Sequence, residues 1–167
     1  MPPDIQILFF GWLVVLAAAD WKYRVVPGCE VFFAGAVLLA VLCRSQSLLA
    51  LGAGLLAVAY GALRMPAPFA LPLLLWPPSW PTLLIGYGVR KEILGRADLF
   101  TIAGISALYP VDVALAALVG TALWIRFWPR QPHGHDPLPL IPLLPGMVIG
   151  AGLALICRAL LDHPLAL

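Results

Sequence analysis

The apolar residues of this chain are gathered into long, charge-poor runs, and those runs dictate what it can become. They cover residues 5–19, 29–43, 47–63, 98–109, 111–127 and 138–161. Soluble domains average about 45–50% apolar and about 25% charged residues. Here, over 167 residues, 62% are hydrophobic and 11% charged, with a mean hydropathy of +0.98. A single small core cannot bury that excess, so a lipid bilayer is the expected solvent. A spanning helix needs about 20 residues, within a usable range of about 17–25. The first and fourth runs are short and must borrow a turn from their polar flanks. No strict alternation accompanies the runs, which argues against transmembrane strands. The expected fold is an all-α integral membrane protein with six transmembrane helices, and residues 1–167 read as one polytopic domain.

Residues 66–89 are apolar enough to span but contain Pro66, Pro68, Pro72, Pro77, Pro78 and Pro81. Each internal proline removes a backbone donor and clashes with the preceding turn. The cluster Trp76-Pro77-Pro78-Ser79-Trp80-Pro81 therefore predicts a re-entrant or interfacial turn between helices 3 and 4. Residues 66–94 are expected as a proline-rich insertion on the cytoplasmic side. Charge counting supports this. With both termini outside and six crossings, Lys22, Arg24, Arg64, Arg90, Lys91, Arg96, Arg126 and Arg130 face the cytoplasm, leaving Arg44 and Arg158 outside. That is the asymmetry of the positive-inside rule. Lys22, Arg24, Arg90, Lys91 and Arg96 read first as topology determinants, with contact of some of them to anionic lipid or substrate as a lesser role.

In this frame Asp20 and Asp98 fall at the same border of the membrane. An ionised carboxylate beside hydrocarbon is costly unless solvated or paired, so each is a functional candidate. The segment A-A-A-D-W-K-Y-R-V-V-P-G around Asp20 resembles the D-x-x-x-x-x-[IV]-P-N segment of type IV prepilin peptidases and archaeal preflagellin peptidases. Gly95-Arg96-Ala97-Asp98 resembles the G-x-G-D or G-x-A-D signature of the same intramembrane aspartyl proteases. The following L-F-T-I-A-G-I-S-A-L-Y-P resembles the helix carrying the second aspartate in the archaeal branch. P-L-I-P-L-L-P-G-M-V-I-G resembles the family's proline-punctuated last helix. Three positions depart from the pattern: Gly28 replaces asparagine, Ala97 replaces the second glycine, and Phe100 stands where a lysine is usual.

The resemblance implies a membrane aspartyl endopeptidase with Asp20 and Asp98 as its catalytic pair. One carboxylate would act as general base on water while its protonated partner polarises the scissile carbonyl. Like charges held close cannot both ionise cheaply, so the pair keeps one proton. Pro27, Gly95 and Ala97 would shape the site, Gly95 by allowing the substrate backbone close approach. Glu30, near the start of the second helix, would tune protonation. The implied partners are prepilin-like or preflagellin-like precursors whose short basic leader stays cytoplasmic. No cofactor is implied. Without a C-x-x-C pair or a sizeable soluble loop, methyl transfer to the new N-terminus is not expected.

Other readings of the same residues stand beside this one. Asp98 opens a helix and can serve only as a cap. Asp20 closes one, where the dipole disfavours an acid, so a capping role is less natural there. The pair could form a proton or cation relay in a small transporter, although a relay favours acids at different depths. A non-catalytic assembly subunit would use the acids as helix-end residues. His133, His135 and Asp136 lie in one loop and read as solvated rather than as a metal site. Cys29, Cys43 and Cys157 are scattered, supporting neither zinc nor a disulfide framework. Gly146-x-x-x-Gly150 permits close helix packing. A net charge of +2 and the lack of a basic stripe give no sign of a nucleic-acid partner. The first run resembles a secretory signal, but Met1-Pro2-Pro3-Asp4 lacks a basic residue, so it is expected to be retained.

Overall fold

Alanine- and leucine-rich runs with few β-branched interruptions favour helix. In the computed structural model, which describes residues 3–23, 26, 28–43, 47–127 and 142–162, every regular element is helical. The chain forms α1 (Pro3–Tyr23), α2 (Cys29–Leu42), α3 (Leu48–Ala62), α4 (Leu71–Leu74), α5 (Trp80–Arg90), α6 (Arg96–Leu108), α7 (Val111–Phe127) and α8 (Leu144–Asp162). Two short 3-10 turns, Ala67–Ala70 and Pro77–Ser79, flank α4.

The all-α class stands, and each of the six expected runs contains a helix. Among the described residues, only α1 and α8 are long and apolar enough to cross a membrane unaided. α2 and α3 have 14 and 15 residues. α6 has 13, about 20 Å of rise against a hydrocarbon core of about 30 Å. The reason lies in packing. α6 is the central helix, touching α2, α3, α5, α7 and α8. Leu99, Ile102 and Ile105 have no exposed surface. Its apolar residues face protein, whereas the outer helices turn Ile7, Leu8, Leu38, Leu49, Leu153 and Ile156 outward.

One contact fixes the direction of α6. At its C-terminal end, the Tyr109 hydroxyl donates to the Gln6 carbonyl near the start of α1, at 2.9 Å. From there α6 runs antiparallel to α1. The rise from Gln6 to Asp20 is about 21 Å and from Tyr109 back to Asp98 about 17 Å, so both aspartates reach the opposite end. Between these levels the Phe9, Trp12 and Phe32 rings join α1 to α2, with centroids 5.3–5.6 Å apart.

The proline-rich segment leaves this same end and returns to it. Pro78 lines a small cavity with Leu51, Gly54, Ala103 and Ala107, well inside the bundle. α5 then runs back beside α3 until Gly86 meets Gly61, where a Cβ on Gly61 would stand 2.7 Å from the Gly86 Cα. Backbone acceptors at the prolines are matched locally. The Ser79 hydroxyl lies 2.8 Å from both the Leu73 and Trp76 carbonyls, and the Trp80 indole donates to the Leu74 carbonyl at 3.0 Å. At the neck, Arg64 and Glu92 form a 2.5 Å ion pair, and Arg90 donates to the Met65 carbonyl. Residues 66–94 thus form a hairpin packed into the bundle, with Thr82, Leu83, Ile85 and Val89 buried.

Candidate functional site

Asp20 lies in the last turn of α1, where the helix dipole disfavours a carboxylate. Another helix compensates. α8 begins directly across from it, and the Leu144 N–H donates to Asp20 Oδ2 at 3.2 Å. Pro145 follows and has no N–H to offer, while Met147 N–H turns to the Leu143 carbonyl at 3.2 Å. Asp20 therefore caps α8, a helix whose first residue lies 124 positions along the chain.

Asp98 is anchored within its own helix. It is the third residue of α6, and Gly95 N–H donates to its Oδ2 at 2.9 Å, half of the capping-box arrangement. Gly95 stands at the N-cap with φ −81° and ψ 157°, a conformation open to any residue. What restricts it is space, because a Cβ there would lie 3.3 Å from Asp98 Oδ2. Asp20 and Asp98 are each 8% exposed, and the two carboxylates lie close enough to interact electrostatically. α1 and α6 thus bring together two buried acids far apart in sequence, each with one oxygen on a backbone N–H at a helix start.

The remaining candidate residues are distributed around this pair. Ala97 is half-buried in the first turn of α6. Glu30 is exposed on α2, where its carboxylate accepts the Cys29 thiol at 3.2 Å. Pro27 lies outside the described residues, as do Arg24, Arg44, Arg130 and the loop holding His133, His135 and Asp136. Gly28 has φ +79° and precedes α2. Glycine takes this left-handed conformation without strain. Phe100 packs against Phe33 of α2 at 5.7 Å between centroids.

Lys22, Arg64, Arg90, Lys91, Arg96 and Arg126 all sit at the end of the bundle that holds the aspartates, while Arg158 pairs with Asp112 at the other end. A cavity of about 230 Å³ opens beside the start of α6, lined by Arg64, Glu92, Leu94 and Arg96 among others. Larger apolar grooves run along α7 and α8 and along α1 and α8, and neither is lined by an aspartate. Among the described residues no group of three or more histidine, cysteine, aspartate or glutamate side chains gathers to hold a metal.

Sequence reasoning missed the Leu144 N–H. The only trace of it is P-L-L-P-G-M, where prolines limit which N–H groups at the start of α8 are available. No family model, curated protein or solved structure matches the chain.

Proposed function

We propose that this chain is a membrane-embedded aspartyl endopeptidase that removes the short basic leader from type IV prepilin-like or preflagellin-like precursors. The observation carrying this reading is the juxtaposition of Asp20 and Asp98, two buried acids supplied by separate helices at one end of the bundle. The segments around them resemble, in their order along the chain, the aspartate segments of the prepilin and preflagellin peptidases.

In this reading six helices, α1, α2, α3, α6, α7 and α8, cross the cytoplasmic membrane, with both termini outside. The hairpin 66–94 enters from and returns to the cytoplasmic side. Support comes from the apolar exterior of the outer helices and from the basic residues gathered at the aspartate end. The shorter helices fit a locally thinned bilayer.

The chemistry follows from a pair that shares one proton. The ionised carboxylate takes a proton from water as the oxygen attacks the scissile carbonyl. The protonated partner donates a hydrogen bond to that carbonyl oxygen and stabilises its developing charge. Collapse of the tetrahedral intermediate expels the leaving amine, which takes up a proton from the pair. A leader held in the cytoplasm puts the bond before the substrate's hydrophobic helix at the depth of the two acids.

The test uses the full chain in liposomes with a prepilin-type substrate carrying a basic leader. Asp20→Asn and Asp98→Asn, made separately, are each expected to lower cleavage by roughly a hundredfold or more. Cleavage at the wild-type rate by either variant overturns the reading. Proton flux in wild type, absent from both variants and without any proteolysis, would instead establish the relay.

A further inference from the structure

One buried polar side chain near the aspartates makes no side-chain hydrogen bond among the described residues. Thr101 lies in α6 with no exposed surface, and its Oγ1 has no hydrogen-bond partner among the described residues. A threonine inside a helix can bond back to the carbonyl one turn earlier. Thr121 does so in α7, donating to the Ala117 carbonyl at 2.8 Å. Thr101 does not, although it is the more deeply buried of the two.

A buried hydroxyl without a partner is unfavourable compared with a methyl group of the same shape, which loses no hydrogen bond to water. Its retention calls for a partner within reach. Position along the helix supplies one. Residues three apart on a helix are surface neighbours, and three residues before Thr101 stands Asp98, the buried acid of the same helix. Asp98 Oδ2 is occupied by Gly95 N–H, and a carboxyl group has further acceptor capacity beyond that one contact.

We infer that Thr101 is a positioning residue for Asp98. Its hydroxyl, one turn along the same side of α6, is the second hydrogen-bond donor to that carboxyl, acting directly after a rotamer change or across one bridging water. With Gly95 N–H on one side and Thr101 on the other, the carboxyl is held in one orientation toward Asp20. The inferred hydrogen bond rests on the unpartnered hydroxyl and its spacing from Asp98 along α6, and only its kinetic consequence rests on the peptidase reading.

Thr101→Val keeps the shape and removes the hydroxyl, and Thr101→Ser restores it. Infrared spectroscopy of the purified protein gives a readout independent of cleavage, with the Asp98 band assigned by its loss in Asp98→Asn. Thr101→Val is expected to shift that band and to lower turnover roughly tenfold with KM unchanged. Thr101→Ser is expected to restore both band and turnover. An unmoved band in Thr101→Val overturns the inference, whatever the cleavage assay shows. Failure of the peptidase reading appears separately, as wild-type protein that does not cleave, and the band then decides alone.

Discussion

The seam between α7 and α8 and the end of the bundle holding Asp20 and Asp98 are kept in place by opposite means. At the seam backbones touch. A Cβ on Gly120 would stand 2.3 Å from the Gly146 carbonyl oxygen, and one on Gly150 would stand 2.0 Å from that of Ala116. Contact this close leaves only glycine, and the geometry is set by exclusion. At the aspartate end, hydrogen bonds from the Leu144 and Gly95 N–H groups to carboxylate oxygens contribute to the geometry, and a side-chain rotation can exchange them. The first arrangement resists change, while the second permits small movements of the two carboxyl groups. Substitutions at the seam should therefore register in stability, and those at the aspartate end in activity.

The largest effect on folding is expected from Gly150→Ala. In an open helix interior this change would add up to about 1 kcal/mol of stability. Here the new methyl group meets the Ala116 carbonyl, and overpacking of this kind costs about 1–3 kcal/mol, occasionally more. A net loss of about 2 kcal/mol is expected in denaturant unfolding of the detergent-solubilised protein, with cleavage per folded molecule unchanged. A gain in stability would show that the seam yields easily and would break the contrast.

Gly95→Ala should sharpen it from the other side. The added Cβ needs the Asp98 carboxylate to give by a few tenths of an ångström, since it would stand 3.3 Å from Oδ2. The Gly95 N–H that holds Asp98 is retained, and the change at an N-cap costs no more than about 1 kcal/mol. In the proposed peptidase, displacing the Asp98 carboxyl by such a margin is expected to lower kcat about threefold to tenfold. Steady-state kinetics beside an unfolding curve would separate the two effects. A fall in stability without any change in kcat would place Gly95 with the glycines of the seam.

The all-helical class was legible because long apolar runs without alternation leave few alternatives. That Asp98 caps its own helix was legible too, as G-x-x-D spacing is local. The Leu144–Asp20 contact was not, because it joins positions 124 apart and no local rule pairs the end of one helix with the start of another. Reasoning from the dipole of α1 alone made Asp20 an unnatural cap, when the relevant dipole is that of α8. Hydropathy likewise does not distinguish a residue facing lipid from one facing protein. Leu99 and Leu8 contribute equally to a hydropathy window, yet Leu99 is fully buried in α6 and Leu8 is 73% exposed on α1. The prolines between 66 and 81 correctly forbade a long helix. Their pattern said nothing of Ser79 and Trp80, whose side chains serve the Leu73, Trp76 and Leu74 carbonyls and let the hairpin pack inside the bundle.

The smallest effect belongs to a polar contact at the end opposite the aspartates. Arg158 reaches both oxygens of Asp112 at 3.1 Å, joining the last turns of α8 to the first turn of α7. It differs from the aspartate anchors in exposure. The Arg158 and Asp112 side chains are 47% and 55% exposed, so water competes for both, and such pairs contribute little. The seam already holds these two helices by steric contact, which leaves the ion pair little to add. Arg158→Ala is expected to change unfolding stability by less than about 0.5 kcal/mol and to leave cleavage unchanged, as read by the same denaturant curve and kinetic assay. A loss as large as that of Gly150→Ala would mean that the α7–α8 seam depends on its polar end, so that backbone contact alone does not hold it.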